Sequence, residues 1–126
     1  MDEHRAIAKL LEDYFRGLYT GDVALLRSVF HPQAALFAQL DGKPYYKSLA
    51  DYLDGVARRQ SPHRLRERFR MKLLGLDVVH DLAFAGVHVP ALGRDYYNHL
   101  SLLRLDGRWC IVSKAFAEPL PDTAPA

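Results

Sequence analysis

The chain has a single cysteine, Cys110, in 126 residues. That excludes an internal disulfide and leaves a thiolate-type structural zinc site without ligands. The histidines His4, His31, His63, His80, His88 and His99 form no HxH or HExxH pattern, so no metal is expected. A GxSxG nucleophile elbow and a glycine-rich phosphate loop are also missing, and nothing calls for a cofactor. No apolar run approaches the roughly 20 residues of a membrane helix. The start, Met-Asp-Glu-His-Arg, has none of the pattern of a secretory signal. A net charge of +2 is too small to argue for nucleic acid. The expectation is one small cytoplasmic domain, the lone cysteine fitting a reducing compartment.

What is present is a strong hairpin. Arg94 to Phe116 is two β-prone apolar runs joined by Asp106-Gly107, a sequence suited to the left-handed positions of a type I′ turn. That turn pairs Leu105 with Arg108, Arg104 with Trp109 and Leu102 with Ile111. Strict alternation then pairs Leu100 with Ser113 and Asn98 with Ala115. One face carries Tyr96, Asn98, Leu100, Leu102, Trp109 and Ile111. The other carries Tyr97, His99, Ser101, Leu103, Cys110, Val112, Lys114 and Phe116.

Upstream, residues 3–18 read as an amphipathic helix with Ile7, Leu10, Leu11, Tyr14, Phe15 and Leu18 on one side. Asp22 can cap a second, short helix that ends at Pro32, with His31 at its C-terminus. Ala34 to Leu40 and Lys43 to Tyr46 flank Asp41-Gly42 as a second hairpin. Ser48 followed by Asp51 opens a third helix that turns Leu49, Tyr52, Leu53 and Val56 inward. Arg64 to Val79 and Ala83 to Leu92 are strand candidates joined at His80-Asp81. Leu74, Leu76, Val78, Ala83, Ala85, Val87 and Val89 fall in phase with Leu100 and Leu102; Asp77, Phe84 and His88 fall on the other face. The basic residues Arg64, Arg66, Arg68, Arg70 and Lys72 recur at period two, which reads as an edge strand protected by charge, with an anion-binding run as the alternative. Residues 118–126, with Pro119, Pro121 and Pro125, read as a flexible tail.

Helices on one face of a mainly antiparallel sheet make an α+β domain spanning 1–117. A curved sheet under helices leaves an apolar pocket at its wide end. Tyr14, His31, Tyr52, Tyr96, Asn98 and Trp109 are its candidate polar and aromatic contacts, and Tyr45 and Tyr46 are possible lids. A buried Asn98 must find partners, from another side chain or from a ligand, because an unsatisfied amide costs about 1–3 kcal/mol.

Tyr14, Gly21-Asp22, Phe30-His31-Pro32, Ala35, the capped third helix and Tyr97-Asn98 through Asp106-Gly107-Arg108-Trp109 to Lys114 resemble the nuclear transport factor 2-like superfamily, with its cystatin-like fold. Within it they are closest to the putative lumazine-binding and SnoaL-like families. The resemblance covers about residues 5–117. It implies a cone of three N-terminal helices on the concave face of the sheet and a deep pocket for a small apolar or aromatic molecule. It also implies a homodimer through the outer sheet face, where Tyr97, His99, Lys114 and Phe116 fall. Nucleic acid and membrane are not expected partners. Steroid-isomerase-like members use a first-helix tyrosine, which Tyr14 matches. The position of their basic carboxylate falls at Ala38, and that of their second acid near Asn98 or His99, so this activity is not carried over. The resemblance therefore leaves three readings: a binding domain, a cyclase, isomerase or dehydratase using His31 and Tyr14, or a structural dimerisation module.

Overall fold

A computed structural model describes residues 3–119. The elements in order are α1 (Glu3–Thr20), α2 (Val23–Val29), β1 (Phe30–Leu40), β2 (Lys43–Ser48), α3 (Leu49–Arg58), β3 (Lys72–Val79), β4 (Leu82–Ala91), β5 (Arg94–Leu105) and β6 (Arg108–Ala117). The strands form one curved six-stranded sheet in the order β2-β1-β6-β5-β4-β3. All neighbours are antiparallel except β1 and β6, which run parallel. No described helix is long and apolar enough to cross a membrane.

The second and third helices start where their chemistry directs. The Asp22 carboxylate accepts from the Leu25 N–H and caps α2. Ser48 Oγ accepts from the Asp51 N–H and caps α3. The apolar stripe of α1 is buried from Ile7 through Leu18. It packs on an inner sheet face that holds Ala83, Ala85, Val87, Val89, Leu100, Leu102, Trp109 and Ile111. Trp109 and Ile111 thus face the helices, in the phase read from the hairpin.

The first two helices touch closely. A Cβ on Gly17 would lie 2.7 Å from Leu26 Cγ, and Leu26 is fully buried. Glycine here is a requirement of close approach rather than a weak last turn of α1. Gly17→Ala gains about 1 kcal/mol of helix propensity but overpacks a closed contact at about 1–3 kcal/mol. A net loss of about 1–2 kcal/mol is expected from urea denaturation. An unchanged or higher midpoint would mean that α2 moves off α1 freely.

Three expectations about strands are corrected. First, the basic run is not a strand. Only Lys72 of that series lies in β3; residues 61–67 form a hydrogen-bonded turn and 68–71 an irregular approach. Period-two charges imitate a strand, but Ser61 and Pro62 start a local turn instead. Second, Leu74 is the extra residue of a bulge between Leu73↔Val87 and Gly75↔Gly86, and it is 54% exposed. Third, β1 begins at Phe30, so His31 is a strand residue rather than the last turn of α2.

Glu118, placed in the tail by its proline neighbours, reaches back to β5. It accepts from Arg94 Nη1 at 2.8 Å and from the Asp95 N–H at 3.0 Å. The rest of that segment, 120–126, lies outside the described residues.

Candidate functional site

The hairpin register holds from Leu105↔Arg108 to Leu102↔Ile111 and then shifts. Ser101 pairs with Ser113, so Val112 is an additional residue on β6. A bulge of this kind exchanges the faces of everything beyond it. Leu100 therefore pairs with Lys114, and Asn98 with Phe116. Lys114 and Phe116, expected on the outer face at a dimer contact, lie on the inner face instead. Lys114 is 6% exposed and Phe116 packs against the core.

That inversion builds a cavity of about 160 Å³ between the sheet and α3. Its wall includes Leu36, Tyr45, Tyr52, Met71, Val89, Tyr96, Asn98, Lys114 and Phe116, with Lys47 and Arg59 also contributing. The aromatic rings lean on one another. Phe116 meets Tyr45 and Tyr96 edge-on, with centroids 5.4 and 5.5 Å apart. Tyr46 is 63% exposed and rests on Phe37 rather than over the cavity.

Two buried polar groups stand in this wall. Asn98 Nδ2 donates to the Tyr14 hydroxyl at 3.0 Å, and Asn98 Oδ1 has no hydrogen-bond partner. Turning the amide over would let Tyr14 donate to Oδ1 and leave Nδ2 unpaired, so either orientation strands one amide atom. Lys114 Nζ sits 4.7 Å from the Tyr52 ring centroid and 5.6 Å from those of Tyr14 and Phe116. Its one hydrogen bond to a described residue is to the Tyr52 hydroxyl, at 3.4 Å. No described carboxylate pairs with it.

Burial governs the acidity of the tyrosines. Desolvation raises Tyr14 above its ordinary value, against the opposing pull of Lys114. Burial likewise pushes Tyr52 up to about 12, although Arg59 draws it down. Tyr96 is raised for the same reason. A folded-state value above the unfolded 10.0 means that the stabilisation is complete below pH 10 and is lost as pH rises through the folded value. At about 1.4 kcal/mol per unit, Tyr52 alone removes roughly 2 kcal/mol by pH 12. Ultraviolet difference titration should therefore find at least two of the seven tyrosines un-ionised past pH 10 until the fold is lost. A single transition for all seven at the ordinary value would contradict the burial of Tyr14 and Tyr52.

Of the expected contacts, Tyr52, Tyr96 and Asn98 line the cavity, and Tyr14 stands behind Asn98. His31 and Trp109 do not line it. His31 Nδ1 accepts from the Gln33 N–H at 3.0 Å within β1. Trp109 lies nearer the hairpin turn, where its indole N–H donates to Glu3 at 2.6 Å and Arg104 joins Glu3 to Asp81. Among the described residues, no group of three or more His, Cys, Asp or Glu side chains could hold a metal ion. Lys47 and Met71 escaped the sequence reading, Arg59 counted there only as part of the basic run, and Lys114 and Phe116 were expected on the opposite face. The one available signal was volume: Lys114 and Phe116 are bulkier than Ser113 and Ala115, which strict alternation sends inward.

Comparison with known proteins agrees with this architecture. An NTF2-like protein of unknown function from Shewanella baltica superposes with a TM-score of 0.81 at 24% identity, over 94% of this chain and 95% of that one. One from Silicibacter pomeroyi gives 0.82 at 23% identity, over 93% and 97%. The aldolase FrzH of a Cladobotryum species is 24% identical over 117 residues, 90% of each chain. Residues 2–117 match the family described as putative lumazine-binding. The chain belongs to that family and has the fold of the NTF2-like structures.

Proposed function

We propose that this domain binds a small aromatic molecule bearing an anionic oxygen, held in the cavity with that oxygen on Lys114. The observation that carries the reading is a buried lysine with no carboxylate partner among the described residues, in a wall that also strands one atom of the Asn98 amide. Both features cost stability within the protein, and both are relieved by one ligand. An oxyanion accepts from the Lys114 ammonium and the Tyr52 hydroxyl, and a neighbouring polar group satisfies Asn98. The aromatic lining suits a planar body.

The name of the Cladobotryum relative favours a second reading. Aldol chemistry passes through an enolate, and Lys114 with Tyr52 is a preorganised donor pair for such an oxygen. That chemistry also needs a proton acceptor. Among the described residues the cavity wall holds no aspartate, glutamate or histidine, and Tyr52 is held protonated far above neutrality. His31, outside the wall, does not supply one. Binding is therefore the reading we adopt.

Native mass spectrometry of freshly purified protein is expected to show a retained small acid. Added 2-naphthoate should raise the melting temperature more than 2-naphthamide does, and Lys114→Met should remove that difference. Equal shifts for acid and amide would defeat the reading.

We infer in addition that the domain dimerises through its outer sheet face. Phe84 is 50% exposed there, and Tyr97 stacks on His88 with centroids 4.3 Å apart, near His99. Such a face is apolar enough to be covered by a second copy. Sedimentation at micromolar concentration should give a dimer that Phe84→Lys dissociates; a wild-type monomer would dismiss it.

A further inference from the structure

The basic run has no structural role as an edge strand, and its placement needs another account. Arg59, Arg64, Arg66 and His63, with Ser61 and Gly21, line an open groove of about 640 Å³ beside the cavity. Among the described residues, no acidic one lines it. No described carboxylate forms an ion pair with Arg59, Arg64 or Arg66. Glu67, the one acid in the run, faces elsewhere. Both its carboxylate oxygens accept from the Leu92 N–H, at 3.0 and 3.2 Å, and tie the loop to the β4–β5 turn.

The groove is built on a fixed loop. His63 N–H donates to the Tyr19 carbonyl at 2.9 Å, Arg64 N–H to Ser61 Oγ at 3.0 Å, and Glu67 N–H to the Pro62 carbonyl at 2.9 Å. The Tyr19 hydroxyl closes the far side on the Glu67 carbonyl at 2.5 Å. Gly21, at φ +71°, lets Ser61 approach to 3.1 Å of where a Cβ would stand. Arg66 is held at φ +61°, a left-handed conformation that costs a non-glycine residue about 1–2 kcal/mol. The left-handed Arg66 closes the turn through the Arg66 N–H to His63 carbonyl and Glu67 N–H to Pro62 carbonyl bonds, whereas the clustered like charge has no described counter-charge.

Arg59 connects this groove to the cavity, because it lines both. It stands at the C-cap of α3, where its N–H donates to the Gly55 carbonyl, and it lines the cavity together with Tyr52. We propose that the groove holds the anionic tail, a phosphate or carboxylate, of a ligand whose aromatic head occupies the cavity. The proposal rests on the binding reading above. The ligand is then a two-ended molecule with an oxyanion on Lys114 and a second anion received by Arg64 and Arg66 past Arg59. Guanidinium groups suit that tail because they grip phosphate and carboxylate through paired N–H donors.

The test uses 4-alkoxybenzoates with tails of increasing length that end in either a phosphate or a hydroxyl, titrated calorimetrically. At one tail length the phosphate should bind at least about tenfold tighter than the hydroxyl, the gain of one strong charge-assisted contact. The double substitution Arg64→Gln, Arg66→Asn should abolish that gain; asparagine tolerates the left-handed backbone at 66. Lys114→Met should weaken both series and leave the phosphate gain in place. If both series bind equally at every length, the tail site is wrong and the cavity reading stands. If neither series binds, the cavity reading fails and the tail site with it. A phosphate gain that survives the double substitution also overturns the proposal.

Discussion

Replacing Lys114 with methionine should raise the melting temperature of the ligand-free protein and abolish its response to aromatic acids. The two effects have one origin. Removing half of a buried ion pair normally destabilises, because a charge is left behind without its partner. Here no carboxylate is left behind, since Lys114 has none among the described residues. Methionine keeps the unbranched stem packed against Tyr52 and Phe116 while removing the desolvated ammonium. The losses are small. Of its three ring contacts only that to Tyr52 is close, at 4.7 Å, the others being at 5.6 Å; such a close contact is worth about 0.5–2 kcal/mol, and a donor at 3.4 Å from the Tyr52 hydroxyl is at the weak end of hydrogen bonding. Relief of burying a charge without a counter-charge outweighs them, so a net gain of about 1–3 kcal/mol is expected. At roughly 4 °C per kcal/mol for a chain of this size, calorimetry would resolve it easily. A stabilised but unresponsive variant is the signature of a residue kept for function at a cost to the fold. A lower melting temperature would instead make Lys114 a structural strut, and the proposed function would lose its main support.

The fold was more legible than the site, and the reason is local. Period-two alternation and the Asp106-Gly107 turn carry enough information to fix Ala83, Ala85, Val87, Val89, Leu100, Leu102 and Ile111 on the inner face, where they are buried. The Ser48 and Asp22 caps follow equally from short-range chemistry. The bulge at Val112 does not. One inserted residue has no composition of its own, and its consequence appears only downstream, as the exchange of Lys114 and Phe116 with Ser113 and Ala115. Trp109 failed as a pocket residue for a different reason. Its indole N–H finds Glu3, 106 positions away, and no spacing rule reports a contact at that distance. The parallel pairing of β1 with β6 is likewise non-local, and it sets Leu36 beside Lys114. The basic run misled because alternating charge is a property that strands share with some turns.

The second large effect is expected from the pair that Asn98 forms with Tyr14, which couples the interior to the cavity. Asn98 is 1% exposed and Tyr14 is fully buried, so breaking the 3.0 Å hydrogen bond between them leaves a buried polar group without its partner. Asn98→Leu keeps the approximate volume but strands the Tyr14 hydroxyl in an apolar layer beside Phe15 and Phe30. Tyr14→Phe does the converse and leaves both ends of the Asn98 amide unpaired. Each single change should cost about 1–3 kcal/mol, the penalty of an unsatisfied buried polar group. The double change removes both halves and should recover most of that loss. A double-mutant cycle in urea is expected to give a coupling of about 1–3 kcal/mol. The ligand readout separates two roles that stability alone would merge. Tyr14→Phe leaves an amide in the cavity wall and should retain a ligand-induced thermal shift. Asn98→Leu, alone or in the double variant, should lose it. Additive stabilities would show that the bond contributes nothing net, and a full thermal shift in Asn98→Leu would remove the amide from the binding site.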